Sequence, residues 1–392
     1  MEKRKLHAKS QDSREGVWSQ PEVLSIDELK AANRIDEIIR LDKHLKVYDS
    51  IEQIASDLFT LEHPNLDRSD SDREDFISSI RRQGDEFGVW VYYPWSSELV
   101  HFPKPDDYHR LRTYRFRDLL SKENIQRLRI ARVAMFGMSV GSNIILELVQ
   151  NGIGGFLAIG DSAEVNIPNL GRAEFDMRDL GNSKLDCIAK SISYVDPFIQ
   201  QLHFPQGINE ESTANLAAFH PDIIGDEVDH MPSSALLRKF SSHNKLPYIT
   251  ASDVHDTVVL EVCRHDLGNS PLYASTIRDA TADELIAGRL SITQQESLFA
   301  QSVGYRNLTP QIIKSGMEIG KTLSGIPQLG STASASAGFA TIAYREILLG
   351  NQQLKTKIYA VPLAKMLGMH IRPRDTIRTA VEYMQYRHNN LP

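Results

Sequence analysis

The sequence predicts the α/β class: a doubly wound, mostly parallel sheet preceded by a small N-terminal α+β accessory domain. Three observations carry this. From about residue 110, short β-rich runs alternate with helical segments, and such alternation builds parallel sheets with helices on both faces. The stretch ARVAMFGMSVGSNIILELVQNG, 131–152, has the order strand, tight turn, helix. The next β-rich run, GFLAIGD, closes on Asp161, 20 residues after Gly141. Together these give the sheet a Rossmann-like character, with ligands expected beyond the carboxyl ends of the strands.

The elements follow in order. Residues 1–20 are polar and are expected to form a disordered tail. Residues 21–109 form the accessory domain. Within it, SIDELKAANRIDEIIRL and VYDSIEQIASDLFTL carry helical spacing over 26–60. Ser25 is the expected N-cap of the first helix, with Glu28 at capping-box spacing. LDRSDSDREDF, 66–76, reads as an acidic exposed loop leading into a helix. FGVWVYYPW, 87–95, is a β run stopped by Pro94, and ELVHFPKP, 98–105, is its expected hairpin partner. Trp90, Tyr92, Tyr93 and Trp95 are read as core or interdomain packing rather than a ligand cage.

Residues 110–350 form the nucleotide-binding domain. Its helix SNIILELVQNG is ended by Gly152, and NSKLDCIAKSISYV stops before Asp196-Pro197. FIQQLHFP, PDIIGDEVD and LPYITASDV are the third to fifth strands, and VVLEVCRHD is a further one. A polar helical region is expected over 281–322. GIPQLGSTASASAGFATIAYREILLG then gives a helix with one small-residue face, suited to close packing in a core or a subunit interface. Residues 351–392 are read as a C-terminal extension.

Bulk composition excludes several classes. The chain has 392 residues, 41% of them hydrophobic, and 44 Lys and Arg against 51 Asp and Glu, for a net charge of −7. That gives no broad basic footprint for nucleic acid. The two cysteines, Cys187 and Cys263, form no CxxC pair and cannot make a four-ligand zinc knuckle; so few suit a reducing compartment. The N-terminus lacks the apolar core of a signal peptide. Apolar runs are broken by Glu147, Asn151 and Asp161, so no membrane span is expected. A cytoplasmic location is the expectation.

The turn after the first strand resembles a phosphate loop, but Ser139 and Ser142 stand where a dinucleotide fingerprint has glycine. Gly137 ends the strand, and Gly141 allows close backbone approach at a helix N-terminus that offers free N–H groups. A structural turn fits this spacing about as well. Asp161 suits the ribose hydroxyls of either NAD or ATP, or is an ordinary strand-end residue. Arg172 and Lys184, with Asn169 nearby, decide between the nucleotides. An oxidoreductase has no need of cations just past the second strand, whereas two cations suit a triphosphate and the charge that develops in nucleotidyl transfer.

PNLGR (168–172), LGNSK (180–184) and DEVDH (226–230) resemble the NLxR, GxxK and xxTDN signatures of ThiF/MoeB-type adenylyltransferases, which share their catalytic domain with ubiquitin-activating enzymes. TYRFRDLL is similar to that family's RYxRQ segment, and GSTASASAG to its small-residue helix. The likeness covers roughly 110–350. VWVYYPW and GMSVGS look most like the ThiF-like proteins often fused to a nitroreductase-type domain, a domain this chain is expected to lack. The resemblance implies that Gly137, Ser139, Gly141 and Ser142 lie along the ATP phosphates and that Asp161 binds ribose. It implies that Asn169, Arg172 and Lys184 contact phosphates and that Asp229 holds Mg2+. It also implies that Arg117, or Arg115 two residues earlier, reaches into a second subunit's site, hence a homodimer. The chemistry implied is formation of an acyl-adenylate on a carboxyl acceptor. The sequence departs from the family at Ala163, where an acidic residue is common, and in its missing CxxC motifs.

Some relatives pass the activated carboxyl to a cysteine. Cys187 reads as core. Cys263 lies beside Arg264 and His265, which could lower a thiol pKa, but it is read as a packed strand cysteine and no thioester is expected. His230 is either a neighbour that supports Asp229 or a polar strand-end residue. The alternatives to an adenylyltransferase are a non-catalytic nucleotide-binding or partner-scaffolding module and, more weakly, an NAD-dependent oxidoreductase. The acceptor is open: a ubiquitin-like or sulfur-carrier protein, a peptide held by the accessory domain, or a small carboxylate. A nucleic-acid-linked acceptor is disfavoured by the negative charge.

Overall fold

The computed structural model describes residues 18–25, 29–65 and 71–369, together with 374, 375, 377, 378, 381 and 385. The expected tail up to residue 17, the capping role of Glu28 and the first part of the acidic loop lie outside the described residues. The chain divides into two compact units, one of residues 1–125 with 189–200, the other of 126–188 with 201–392.

The first unit holds a four-stranded sheet in the order β1-β3-β4-β2. Its strands are β1 (Glu22–Leu24), β2 (Lys46–Tyr48), β3 (Val89–Tyr93) and β4 (Glu98–Phe102). The expected hairpin is β3 with β4, antiparallel, pairing Val91 with Val100. The short flanking strands β1 and β2 carry too few residues to show an alternation in the sequence. Helices α1 (Leu29–Leu41), α2 (Ile51–Glu62), α3 (Ser71–Gln83), α4 (Pro105–Arg112) and α5 (Lys122–Arg129) complete the helical inventory before the large sheet. The aromatic residues pack as expected. Trp90 stacks on His101 with ring centroids 4.4 Å apart. Tyr93 and Trp95 meet Tyr194 edge-on or tilted, and Trp95 Nε1 donates to the Tyr194 hydroxyl at 2.9 Å.

The second unit is built on a seven-stranded sheet in the order β11-β10-β9-β8-β5-β6-β7. The strands are β5 (Arg132–Phe136), β6 (Phe156–Gly160), β7 (Gln200–Phe204), β8 (Ile223–Asp226), β9 (Pro247–Val254), β10 (Thr257–Arg264) and β11 (Lys357–Pro362). β5 runs parallel to β6 and β8, and β8 to β9. β10 pairs antiparallel with both β9 and β11, so the sheet is mostly parallel with an antiparallel border. Val133, Ala134, Met135 and Phe136 are fully buried, as strands covered on both faces require.

Helices α6 (Val140–Gln150), α7 (Lys184–Val195), α8 (Thr213–Phe219) and α9 (Met231–His243) follow their strands. α7 ends before Asp196-Pro197, as its sequence dictates. The region 281–322 is not one helix. It breaks into α10 (Thr281–Ile286), α11 (Ile292–Val303) and α12 (Pro310–Glu318). Gly288 and Gly304, both at positive φ, separate them, and α11 restarts on a Ser291–Gln294 capping box. The small-residue helix is α13 (Gly330–Leu348). Ala333, Ser336, Ala337 and Ala340 are buried on it, and it packs on α6, β9 and β10. Within this unit the small face therefore serves the core.

Candidate active site

The turn between β5 and α6 is fixed by its neighbours. Gly137 has φ +88°, and a Cβ there would lie 2.2 Å from the Glu227 carbonyl oxygen, so only glycine fits. The Met138 amide donates to Asp161 Oδ2 at 2.6 Å and the Ala163 amide to Asp161 Oδ1 at 2.7 Å. The strand-end carboxylate thus ties its own loop to the β5 turn. A Cβ on Gly141 would meet the Glu227 side chain at 3.3 Å. The Ser139 hydroxyl does not cap α6; it is buried and has no hydrogen-bond partner among the described residues. Ser142 is fully buried. Its hydroxyl donates to the Ser139 carbonyl at 2.6 Å and accepts from the Glu174 amide at 3.2 Å, stitching the turn to the segment after Arg172.

That segment is held on several sides. Asn166 and Asn169 form a reciprocal capping box around the short 3-10 helix Ile167–Gly171. Asn169 is buried, and its Oδ1 accepts from the Asn166 amide at 2.9 Å. Asn143 Nδ2 donates to the Arg172 carbonyl at 2.9 Å. The Arg172 guanidinium donates to Gln328 Oε1. Gly330, the first residue of α13, lies so close that a Cβ would sit 2.4 Å from the Gly171 carbonyl oxygen. Lys184 opens α7, and its amide donates to the Ala163 carbonyl at 3.0 Å. The residue is only 8% exposed, and no ion pair within 4.0 Å is formed by it among the described residues. A buried lysine without a pair is uncommon.

The third wall is the end of β8. Asp226 is buried and accepts from the Tyr248 hydroxyl and, at 3.0 Å, from the Val228 amide. Glu227 Oε1 accepts from the Ala251 amide at 2.7 Å. Burial holds the Glu227 carboxyl well above the usual carboxylate range. Asp229 follows in the loop, three residues past the strand. It is exposed, yet the protein crowding it on one side raises its carboxyl. The positive charges of Arg172 and Lys184 oppose that rise, and the negative charges of Asp161 and Asp226 add to it. Asp229, Arg172, Lys184 and Asp161 therefore share one electrostatic field at the carboxyl end of the sheet.

Arg115 lies in the short turn Tyr114–Phe116 of the first unit and Arg117 directly follows it; both are exposed. His230 is exposed, with Nδ1 2.9 Å from Ser233 Oγ. Both cysteines are buried. The neighbours of Cys263 do not activate it. Arg264 is turned to Asp266 and to the Asn351 and Leu354 carbonyls, and burial pushes the Cys263 thiol up to about 12.

Sequence reasoning did not single out Glu227, Asp253, Asn143 or Gln328. Asp253 ends a β run as Asp161 does, so the same signal would have found it. Gln328 is 156 residues from Arg172 in the chain and carries no local signal. Among the described residues no group of three His, Cys, Asp or Glu is placed to hold a metal ion. One carboxylate beside two cations instead fits Mg2+ that arrives with phosphate oxygens and keeps most of its waters. Among the described residues no helix is long and apolar enough to cross a membrane.

A model of the ThiF family matches residues 111–352. The uncharacterized protein MT1398 of Mycobacterium tuberculosis is 26% identical over 262 residues, which cover 67% of this chain and 36% of that protein. The chain thus spans about a third of the length of that curated relative. Among solved structures, PaaA is similar at 14% identity and TM-score 0.47, covering 80% of this chain and 93% of that one. The E. coli tRNA N6-threonylcarbamoyladenosine dehydratase TcdA, in complex with AMP, is similar at 17% identity and TM-score 0.45, covering 62% and 96%. E. coli MccB with ATP is similar at 14% identity and TM-score 0.41, covering 78% and 82%.

Proposed function

The chain belongs to the ThiF family, and from that premise we propose that it is an ATP- and Mg2+-dependent adenylyltransferase acting on a carboxyl group. The observation that carries this reading is that Asp161 and Asp229 follow the carboxyl ends of β6 and β8, on either side of the β5 turn, with Arg172 and Lys184 acting electrostatically on Asp229. Two cations and one exposed carboxylate suit a triphosphate with its metal, and Asp161 suits the ribose. In this reading the turn and the start of α6 offer backbone N–H groups to the phosphates, while Gly137 and Gly141 let that turn sit against Glu227. Arg172 and Lys184 stabilise the charge that moves onto pyrophosphate. Asp229 would hold Mg2+, which neutralises phosphate charge when bound. The acceptor carboxylate forms a bond to the α-phosphorus as the bond to the bridging oxygen breaks. The electron pair leaves with pyrophosphate, and no proton need move.

Arg117 acting across a homodimer belongs to the same proposal, as do a protein, peptide or small carboxylate as acceptor and a place beside the nitroreductase-fused ThiF-like proteins. A second reading, a nucleotide-binding or scaffolding module without turnover, is favoured by Ser142 and Asn169, whose polar atoms already serve the protein. Calorimetric titration with Mg·ATP and separately with NAD tests both. Binding of ATP that is lost in Arg172→Ala is expected. Selective binding of NAD would overturn the proposal. Tight ATP binding without pyrophosphate release in the presence of the acceptor would favour the second reading.

A further inference from the structure

The sheet order places a second carboxylate beside the nucleotide strands. Asp161, the Gly137–Ser142 turn and Asp229 follow the carboxyl ends of β6, β5 and β8, which are neighbours in the sheet. The next strand outward is β9, and Asp253 is its penultimate residue, at the same end of the sheet because β9 runs parallel to β8. Asp253 thus stands one strand beyond Asp229, on the side away from Asp161.

Asp253 is built unlike a structural aspartate. It is 3% exposed. One oxygen, Oδ1, accepts from the Ser336 hydroxyl on α13 at 2.5 Å. The other, Oδ2, is buried and has no hydrogen-bond partner among the described residues. No backbone amide among the described residues donates to its side chain, so it caps no helix or turn. An unsatisfied buried carboxylate oxygen costs free energy, and such a group needs an explanation. Burial raises the Asp253 carboxyl, while the Ser336 hydrogen bond and the positive charge of Arg172 oppose that rise. Asp253 therefore belongs to the field of the proposed phosphate-binding residues without being tied to any of them.

Resting on the adenylyltransferase reading, we propose that Asp253 is a specificity-determining residue for the acceptor. Its Oδ2 receives an N–H donor carried on the carbon next to the reacting carboxyl. A plain carboxylic acid brings no donor and leaves that oxygen unpaired. An α-amino acid or a peptide C-terminus brings a donor that satisfies the orphaned oxygen.

The test uses three conjugates of 5′-O-sulfamoyladenosine, each mimicking an acyl-adenylate, titrated calorimetrically into the full chain. The glycyl conjugate carries an ammonium, the N-acetylglycyl conjugate an amide N–H, and the propionyl conjugate neither. The native protein is expected to bind one of the nitrogen-bearing conjugates about tenfold or more tightly than the propionyl one, the scale expected when a site built for a hydrogen bond meets a ligand lacking the donor. The ammonium-bearing arm winning points to a free amino acid, the amide-bearing arm to a peptide C-terminus. Asp253→Asn places an amide where the oxygen was and is expected to erase the preference while AMP binds within about twofold of the native affinity. Asp253→Ala serves as a second variant. Equal affinity for all three conjugates in the native protein, or a preference that survives in Asp253→Asn, overturns the inference alone. Failure of ATP, AMP and every conjugate to bind overturns the adenylyltransferase reading, and this inference with it.

Discussion

Two arginines in the second unit show what the fold does with buried charge. Arg238 is 4% exposed and sits between the rings of Tyr248 and Tyr273, 4.4 and 4.5 Å from their centroids. It donates to Glu261 Oε2 at 2.7 Å and to the Leu272 carbonyl at 2.9 Å, and Glu261 Oε1 accepts from the Ala274 amide. Apart from Arg238 Nε, this pair is closed. Arg172 is half-buried, bound to a neutral Gln328, and flanked by Asp229 and Asp253, with neither of which it forms an ion pair within 4.0 Å. The first arrangement spends its charges on internal pairing. The second leaves cations and carboxylates close but unpaired, which is how a protein keeps charge available for a ligand.

The comparison breaks most visibly at Arg238. Arg238→Ala leaves Glu261 buried and uncompensated, and a loss of about 3–5 kcal/mol is expected, read from urea unfolding. Replacing both partners with apolar residues of similar volume should recover most of that loss. Arg172→Ala should do the opposite. ATP affinity should fall by about tenfold or more, as loss of a charge-assisted contact implies, while the urea midpoint barely moves.

A subtler contrast lies in pH. The folded-state Asp253 carboxyl is raised. Its contribution to stability is therefore fully present below the unfolded carboxylate pKa and is lost as pH rises through the folded value. Asp253→Asn should remove that loss, so its urea midpoint should gain on the native one between about pH 4 and pH 7. A constant difference across that range would mean that the carboxyl is not shifted. A loss smaller than that at Arg238 is expected at Ser142→Ala. Losing the hydroxyl that joins the Ser139 carbonyl to the Glu174 amide should cost about 1–2 kcal/mol and reduce ATP affinity only modestly.

The parts of this molecule that were legible in its sequence are those written locally. β5, α6 and β6 carry their pattern within a few residues, and Asp161 and Asp229 are marked by their place after β-rich runs. The α7 stop is marked by Pro197. β1 and β2 were not legible because three residues are too short for a period to show. The breaks within 281–322 hinged on Gly288 and Gly304, whose positive φ a polar helical composition conceals. The site divides the same way. Gly137 reads as a ligand-facing glycine, yet its glycine is already required by the Glu227 carbonyl, a contact between two strands. Gln328 on Arg172 and Ser336 on Asp253 depend on α13 folding back over the sheet, and no spacing in the sequence encodes that.

The burial of both sulfur atoms has a practical corollary. Cys187 and Cys263 are 6% and 0% exposed, which shields both sulfurs from an external electrophile, and burial pushes the Cys263 thiol up to about 12. The folded protein is a silent background for maleimide chemistry. A single cysteine introduced at an exposed position such as Arg117 becomes the sole addressable handle, and a fluorophore there would report directly on whether that loop changes surroundings when nucleotide is added.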